Sequence, residues 1–168
     1  MDPTRTLLPR RAITGGVIAG LIGGAVLELY LLGIALLHGA DVWPIVKAAA
    51  APLLGARAQH GGFDLASVVI GLTCHFAVAI AWAVVFALMI YGISRPATVL
   101  AGIAWGVMVW AIMYIAVLPL LGLGQLASAA PTGRAVLAHM VYGLAIGVGF
   151  VPFQVREPLA PMRPLGAP

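Results

Sequence analysis

Apolar residues along this chain do not alternate with polar ones. They run on almost unbroken in four places, residues 13–37, 66–91, 97–121 and 134–151. A helix needs about 20 such residues to cross the hydrocarbon core of a bilayer, whereas barrel staves are shorter and alternate in polarity. The pattern therefore predicts an all-α, polytopic membrane protein: four transmembrane helices in a single domain spanning residues 1–168. Between the first two spans lies the longest connection. Within it, residues 42–57 carry Trp43, Val46, Ala50 and Leu53 at helical spacing, with Asp41 placed to cap them. That segment is too short to cross and is expected to lie in the interface or re-enter the membrane, with Lys47 and the helix-breaking Pro52 favouring the interface.

The punctuation agrees with these boundaries. Tyr91-Gly92-Ile93-Ser94-Arg95-Pro96 reads as a tight hairpin with Pro96 in the first turn of the third helix. Asp64 and Thr132 are expected to cap the second and fourth helices. Residues 152–168, with four prolines after Pro152, are expected to form an irregular tail. Composition adds weight: 62% of the 168 residues are hydrophobic and 8% charged, outside the range of water-soluble domains. The few basic residues then act as topology signals. Arg5, Arg10, Arg11, Arg95, Arg156 and Arg163 fall on one side and Lys47, Arg57 and Arg134 on the other. The excess predicts that both termini are cytoplasmic, in the inner membrane of a bacterium. No basic patch interleaved with aromatics is present, so no nucleic-acid partner is expected.

Small residues recur every fourth position, the spacing that keeps side chains on one helix face. The stripes are Gly16, Gly20 and Gly24 in the first helix; Gly71, Ala79, Ala83 and Ala87 in the second; Gly102 and Gly106 in the third; Gly143 and Gly147 in the fourth. Such glycine-zipper faces let backbones approach closely in lipid. Each stripe also holds a polar or amphipathic side chain: Glu28, His75, Trp110 with Tyr114, and His139. Counted at about 1.5 Å per residue, these positions fall at similar depths in the half of the membrane away from the termini. A weak internal repeat, HFAVAIAWAVVF against HMVYGLAIGVGF and AGLIGGAVLE against AGIAWGVMVW, would set His75 opposite His139.

An ionisable group inside hydrocarbon costs several kcal/mol and is expected to face the bundle interior and find a partner. Glu28, His75 and His139 are thus the candidate site, with Tyr114 and Trp110 beside it. Carboxylate and two imidazoles suit a transition metal ion; the two histidines alone would suit the axial positions of haem b; the same groups can exchange protons for a transported solute; and all can serve simply as hydrogen-bonding glue between helices. The leading expectation is a metal, haem or small-ligand site open to the periplasm, in a protein serving as an accessory subunit. A proton-coupled transporter and a purely structural protein are the alternatives. Beyond the lipid bilayer, a homo-oligomer or a larger membrane complex would supply partners; Gly15 and Gly23, off the main stripes, suit self-association and are explained equally well by packing within the chain.

The order of features here, a glycine-rich first helix with a late Glu28, an outer Trp43-Pro44…Lys47…Ala51-Pro52-Leu53-Leu54-Gly55 segment, His75-Phe76 and then His139-Met140-Val141-Tyr142-Gly143, resembles that of uncharacterised four-helix inner-membrane proteins of the YagU-like kind. The resemblance implies a bacterial inner-membrane location and carries over no catalytic residue. No Walker loop, Gly-x-Ser-x-Gly, Cys-x-x-Cys or His-Glu-x-x-His is present, so the reading leans away from an enzyme.

Overall fold

The computed structural model describes residues 3–129 and 132–154, and among them the chain is helical with no strand. Four helices are long and apolar enough to cross a bilayer: α1 (Pro3–Leu37), α2 (Leu65–Ile90), α3 (Arg95–Leu120) and α4 (Thr132–Phe150, extended by a 3-10 turn at Val151–Phe153). They run up and down in order, which brings the start of α1 and the end of α4 to one face of the bundle, where the Arg11 guanidinium reaches the Pro152 carbonyl at 3.5 Å. The segments placed in the tail beyond Gln154, including Arg156 and Arg163, lie outside the described residues.

Packing is uneven around the bundle, and glycine decides where it is tight. On α1, a Cβ at Gly16 or Gly20 would sit 2.7 or 2.6 Å from the Cα of Val84 or Ile80 on α2. Gly102 and Gly106 press on the backbone of α4, Gly106 against the carbonyl of His139, and Gly143 presses back on α3. Gly15 and Gly23, off the main stripes, seat the Phe150 and Phe153 rings and the Ile146 and Tyr142 side chains of α4, which is the packing within the chain that they suited. So α1 is joined closely to both α2 and α4, and α3 to α4. The fourth seam, between α2 and α3, has few backbone approaches. Large side chains fill it: Trp82 and Trp105 meet edge to face at 6.0 Å, and Phe86 packs on Trp105 and Phe150.

Both ends of the bundle are tied by polar contacts. At the end with the termini, the α2–α3 hairpin turns at Gly92, whose φ of 97° suits glycine. Gln154, fully buried, closes that turn: its Oε1 accepts from the Gly92 N–H at 2.8 Å, and its Nε2 donates to the Ile90 carbonyl and to Thr98 Oγ1. The sequence reading assigned this residue to an irregular tail, and no local periodicity marks it.

At the other end the long connection forms a cap of short helical pieces, Trp43–Lys47, Ala48–Ala50, Ala51–Leu54 and Gly55–Gln59. Its alanines, Ala50, Ala51 and Ala58, make a small core joined by Leu123 and Leu126 from the connection between α3 and α4. The cap lies along the first turns of α2, with Val46 and Lys47 backbone on Gly71. Lys47 is 1% exposed, yet its ammonium is satisfied by the carbonyls of His60 (2.6 Å) and Gly62 (2.9 Å). Asp41 ties the two ends of the cap together by accepting from the Trp43 and Gly62 N–H groups. Asp64 stands at the α2 N-cap as expected, but its carboxylate is engaged by Arg57 (2.7 and 3.1 Å) and the Ser67 hydroxyl. Thr132 is the first residue of α4 and not its cap.

Three outcomes follow. Gly106→Ala should lower stability in detergent by about 1–3 kcal/mol through overpacking, while Gly33→Ala, where a Cβ meets nothing within 4 Å, should be neutral or stabilising; paired thermal melts decide this. Gln154→Leu strands the hairpin's polar groups at about 1–3 kcal/mol for each one left unpaired, and amide exchange at Gly92 should accelerate. Arg57, then the Ser67 hydroxyl, holds the Asp64 carboxyl well below the usual carboxylate range. A depressed value stabilises the fold above the unfolded pKa and is lost as pH falls through the folded one. Protease sensitivity of the cap should therefore stay flat from neutral pH down to the ordinary carboxylate range and rise progressively below it until the folded-state carboxyl is protonated, whereas Asp64→Asn should raise it at neutral pH and remove that pH dependence.

Candidate functional site

The polar positions singled out from the stripes occupy one level of the bundle. On α4 the Tyr142 hydroxyl donates to the Ala79 carbonyl of α2 at 2.7 Å, which fixes the register of these two parallel helices. One turn toward the cap from that bond lie His75 on α2 and His139 on α4. Gly23 of α1 meets Tyr142 and Ile146, and Glu28 is one and a half turns closer to the cap, opposite His75. The aromatic layer of Trp82, Phe86, Trp105 and Phe150 lies toward the termini.

At this level the side chains form two pairs. In the first, Glu28 Oε2 is 3.8 Å from His75 Nδ1, with the two side chains 12% and 15% exposed. His75 Nε2 lies 2.9 Å from the Gly24 carbonyl of α1. A carbonyl only accepts, so Nε2 carries a proton and donates it. The approach requires a bare helix face: a Cβ at Gly24 would already lie 3.1 Å from Ala79 Cβ and Phe76. In the second pair the His139 ring meets Tyr114 edge to face at 5.6 Å, and Tyr114 packs on Trp110 at 6.2 Å. His139 Nδ1 is 2.8 Å from the Ala135 carbonyl of its own helix, so it donates there. Its Nε2 lone pair is left unassigned.

Two further features mark the layer. Among the described residues, the buried side-chain atoms lacking any hydrogen-bond partner are Glu28 Oε1, Trp105 Nε1 and Trp110 Nε1, although buried polar groups are normally satisfied. Next, α3 widens into a π turn over Ile112–Val117, which includes Tyr114 and precedes Pro119. Single π turns inside α-helices concentrate at functional positions. Sequence periodicity of 3.6 cannot show such a turn, and Pro119 was the available signal for irregularity.

The contacts do not gather the three-ligand metal set expected from Glu28, His75 and His139. No group of three or more His, Cys, Asp or Glu side chains among the described residues is gathered to hold a metal ion. Glu28 and His75 meet, whereas His139 turns one nitrogen to its own backbone and its ring to Tyr114. The haem b expectation meets a similar obstacle, because His75 Nε2 is tied to α1. Cys74, beside His75, is half-buried with a free thiol.

The internal repeat has a counterpart in space and a difference. His75 and His139 are at matching positions on α2 and α4, but the place that Glu28 holds on α1 is filled on α3 by Trp110. One half of the layer thus carries a carboxylate and the other an indole.

No curated protein and no solved structure matches this sequence. Residues 10–159, which take in all four spans and the polar layer, match a family described as a family of unknown function, DUF6789, and the chain belongs to that family.

Proposed function

We propose that this protein binds a small polar ligand within the membrane, at the layer formed by Glu28, His75, His139, Tyr114 and Trp110, and that binding is linked to a proton shared by Glu28 and His75. The observation that carries the reading is the unpartnered, buried Glu28 Oε1 beside an imidazole whose other nitrogen is fixed. With Nε2–H held by Gly24, a neutral His75 presents its Nδ1 lone pair to Glu28. The pair then has one mobile proton. Placed on the carboxyl, it leaves both groups neutral; placed on Nδ1, it leaves a contact ion pair; the net charge is zero in both cases, which is what hydrocarbon tolerates. The other titratable groups of this part of the bundle are His139, whose Nδ1 donates to Ala135, Tyr142, whose hydroxyl donates to Ala79, and Tyr114, which packs on His139; the cap ammonium of Lys47 is committed to carbonyls.

A second reading, proton-coupled carriage of the ligand across the membrane, is favoured by the π turn in α3 and by the loosely joined α2–α3 seam, since these are the parts of the bundle least fixed by backbone contact. By the distribution of arginine and lysine, the protein sits in a bacterial inner membrane with both termini cytoplasmic and the polar layer nearer the periplasm.

Infrared difference spectra of the purified protein test the proton assignment. A protonated-carboxyl band should vanish in Glu28→Gln and shift in frequency and titration midpoint in His75→Gln. A carboxyl band indifferent to His75→Gln would overturn the reading, as would a Soret band lost on His75→Ala or stoichiometric zinc lost on Glu28→Gln.

A further inference from the structure

The outer side of the α1–α4 seam carries a slot that the packing of the interior does not use. Ile22 and Val26 of α1 face Leu144, Ala145, Val148 and Gly149 of α4 across a cavity of about 370 Å³, with no polar side chain in its lining. That volume lies within the ~300–1,000 Å³ of ordinary ligand sites. Small residues, Ala145 and Gly149, form the floor, and branched ones form the rims: Ile22, Leu144 and Val148 are 43%, 42% and 54% exposed. Such a shape admits one flexible chain. It does not suit a further helix, because helices in lipid approach through small residues and here the branched rims stand in the way.

One end of the slot is marked by charge. On α1 the face that holds Ile22 and Val26 continues through Ile18 and Gly15 to Arg11, in steps of three and four residues. On α4 the face of Leu144 and Val148 continues to Pro152. The two lines meet where the Arg11 guanidinium donates to the Pro152 carbonyl at 3.5 Å, which leaves most of its N–H groups for other acceptors. Arg11 and its neighbour Arg10 are exposed, and among the described residues no carboxylate pairs with either. Ile22 lies about 16 Å, and Val26 about 22 Å, along the helix axis from Arg11. Headgroups occupy about 5–7 Å on each side of a hydrocarbon core of ~30 Å. The slot is therefore at the depth of the inner part of the acyl chains in the leaflet whose headgroups meet Arg11.

We propose that the slot holds one acyl chain of an anionic phospholipid whose phosphate pairs with Arg11, Arg10 adding to the positive field. The partner is identified by its two ends, negative at the head and apolar over the length that separates Arg11 from Val26. A zwitterionic phospholipid offers the same chain, but its phosphate comes with a cation of its own and gains less from the arginines. A lipid held in this way joins the first and last spans from outside. The proposal holds whether or not the polar layer binds a ligand.

The test uses the full chain with phosphatidylglycerol and phosphatidylcholine of identical acyl chains. By native mass spectrometry from detergent, the protein should retain phosphatidylglycerol at least about fivefold over phosphatidylcholine, the preference that one arginine near the membrane surface supplies. Arg11→Gln should bring the two lipids toward equality, whereas Arg134→Gln, at the opposite end of α4, should leave the preference unchanged. In nanodiscs of phosphatidylglycerol, a photoreactive group in the inner part of the acyl chain should place its adducts on residues 22–26 and 141–149, and Ala145→Leu, which fills the slot, should remove them. Equal retention of the two lipids, or a preference that survives Arg10→Gln and Arg11→Gln together, would overturn the proposal. So would adducts spread evenly over the four spans, a result read on the unaltered protein even if Ala145→Leu fails to fold. Cross-links between Ile22 of two copies would also overturn it, since a second chain would then cover the slot.

Discussion

Helices surrounded by lipid gain little from hiding apolar surface against one another, so the bundle depends on how closely its backbones can approach. In this chain that closeness is set at a few positions where a hydrogen stands in place of a side chain. Gly106 against the His139 carbonyl and Gly20 against Ile80 leave no room for even a methyl group. Everything else in the interior is arranged around those fixed points. The Tyr142 to Ala79 bond, the Gly24 to His75 bond and the meeting of Glu28 with His75 all cross between helices whose spacing glycine has already determined.

The same constraint divides the bundle into unequal halves. Three seams are narrow, and the fourth is held by tryptophan and phenylalanine rings. Narrow seams exclude water and ligand; a seam made of rotatable rings can open by side-chain movement alone. The polar layer sits at a level where both kinds of seam meet, under a cap whose own charges are neutralised by its backbone. A carboxylate at such a place is insulated from bulk water without being crowded by lipid, which suits a group that must change its proton and keep its geometry.

Much of this was legible from residue order. Continuous apolar runs located the four spans to within a few residues, because their length is dictated by the bilayer and not by any partner. The stripes at every fourth residue identified which faces meet, and the depth count brought Glu28, His75 and His139 to one level. What the sequence could not give was the direction of each ring nitrogen. Depth is additive along a helix, but the choice between a neighbouring carboxylate and one's own carbonyl four residues back depends on rotamers, and at His139 the local bond prevails. Gly15 and Gly23 stayed open between two readings for a related reason: a glycine face looks the same in sequence whether a second chain or the fourth helix of its own chain fills it. The carbonyl partners of Lys47, at His60 and Gly62, were not legible because they come from a turn with no recognisable pattern. Which side of the membrane holds the termini remains a reading of charge distribution, since a bundle has the same internal contacts in either orientation.

The Gln154 side chain gives the molecule a timetable. Its partners, at Ile90, Gly92 and Thr98, are synthesised more than fifty residues before it, so the hairpin between the second and third helices enters the bilayer with its turn unsealed. Only when the last helix has been threaded and its final turn delivered does the amide reach that corner. Among the described residues, the stitch that closes this corner is therefore also the one whose final partner is made latest.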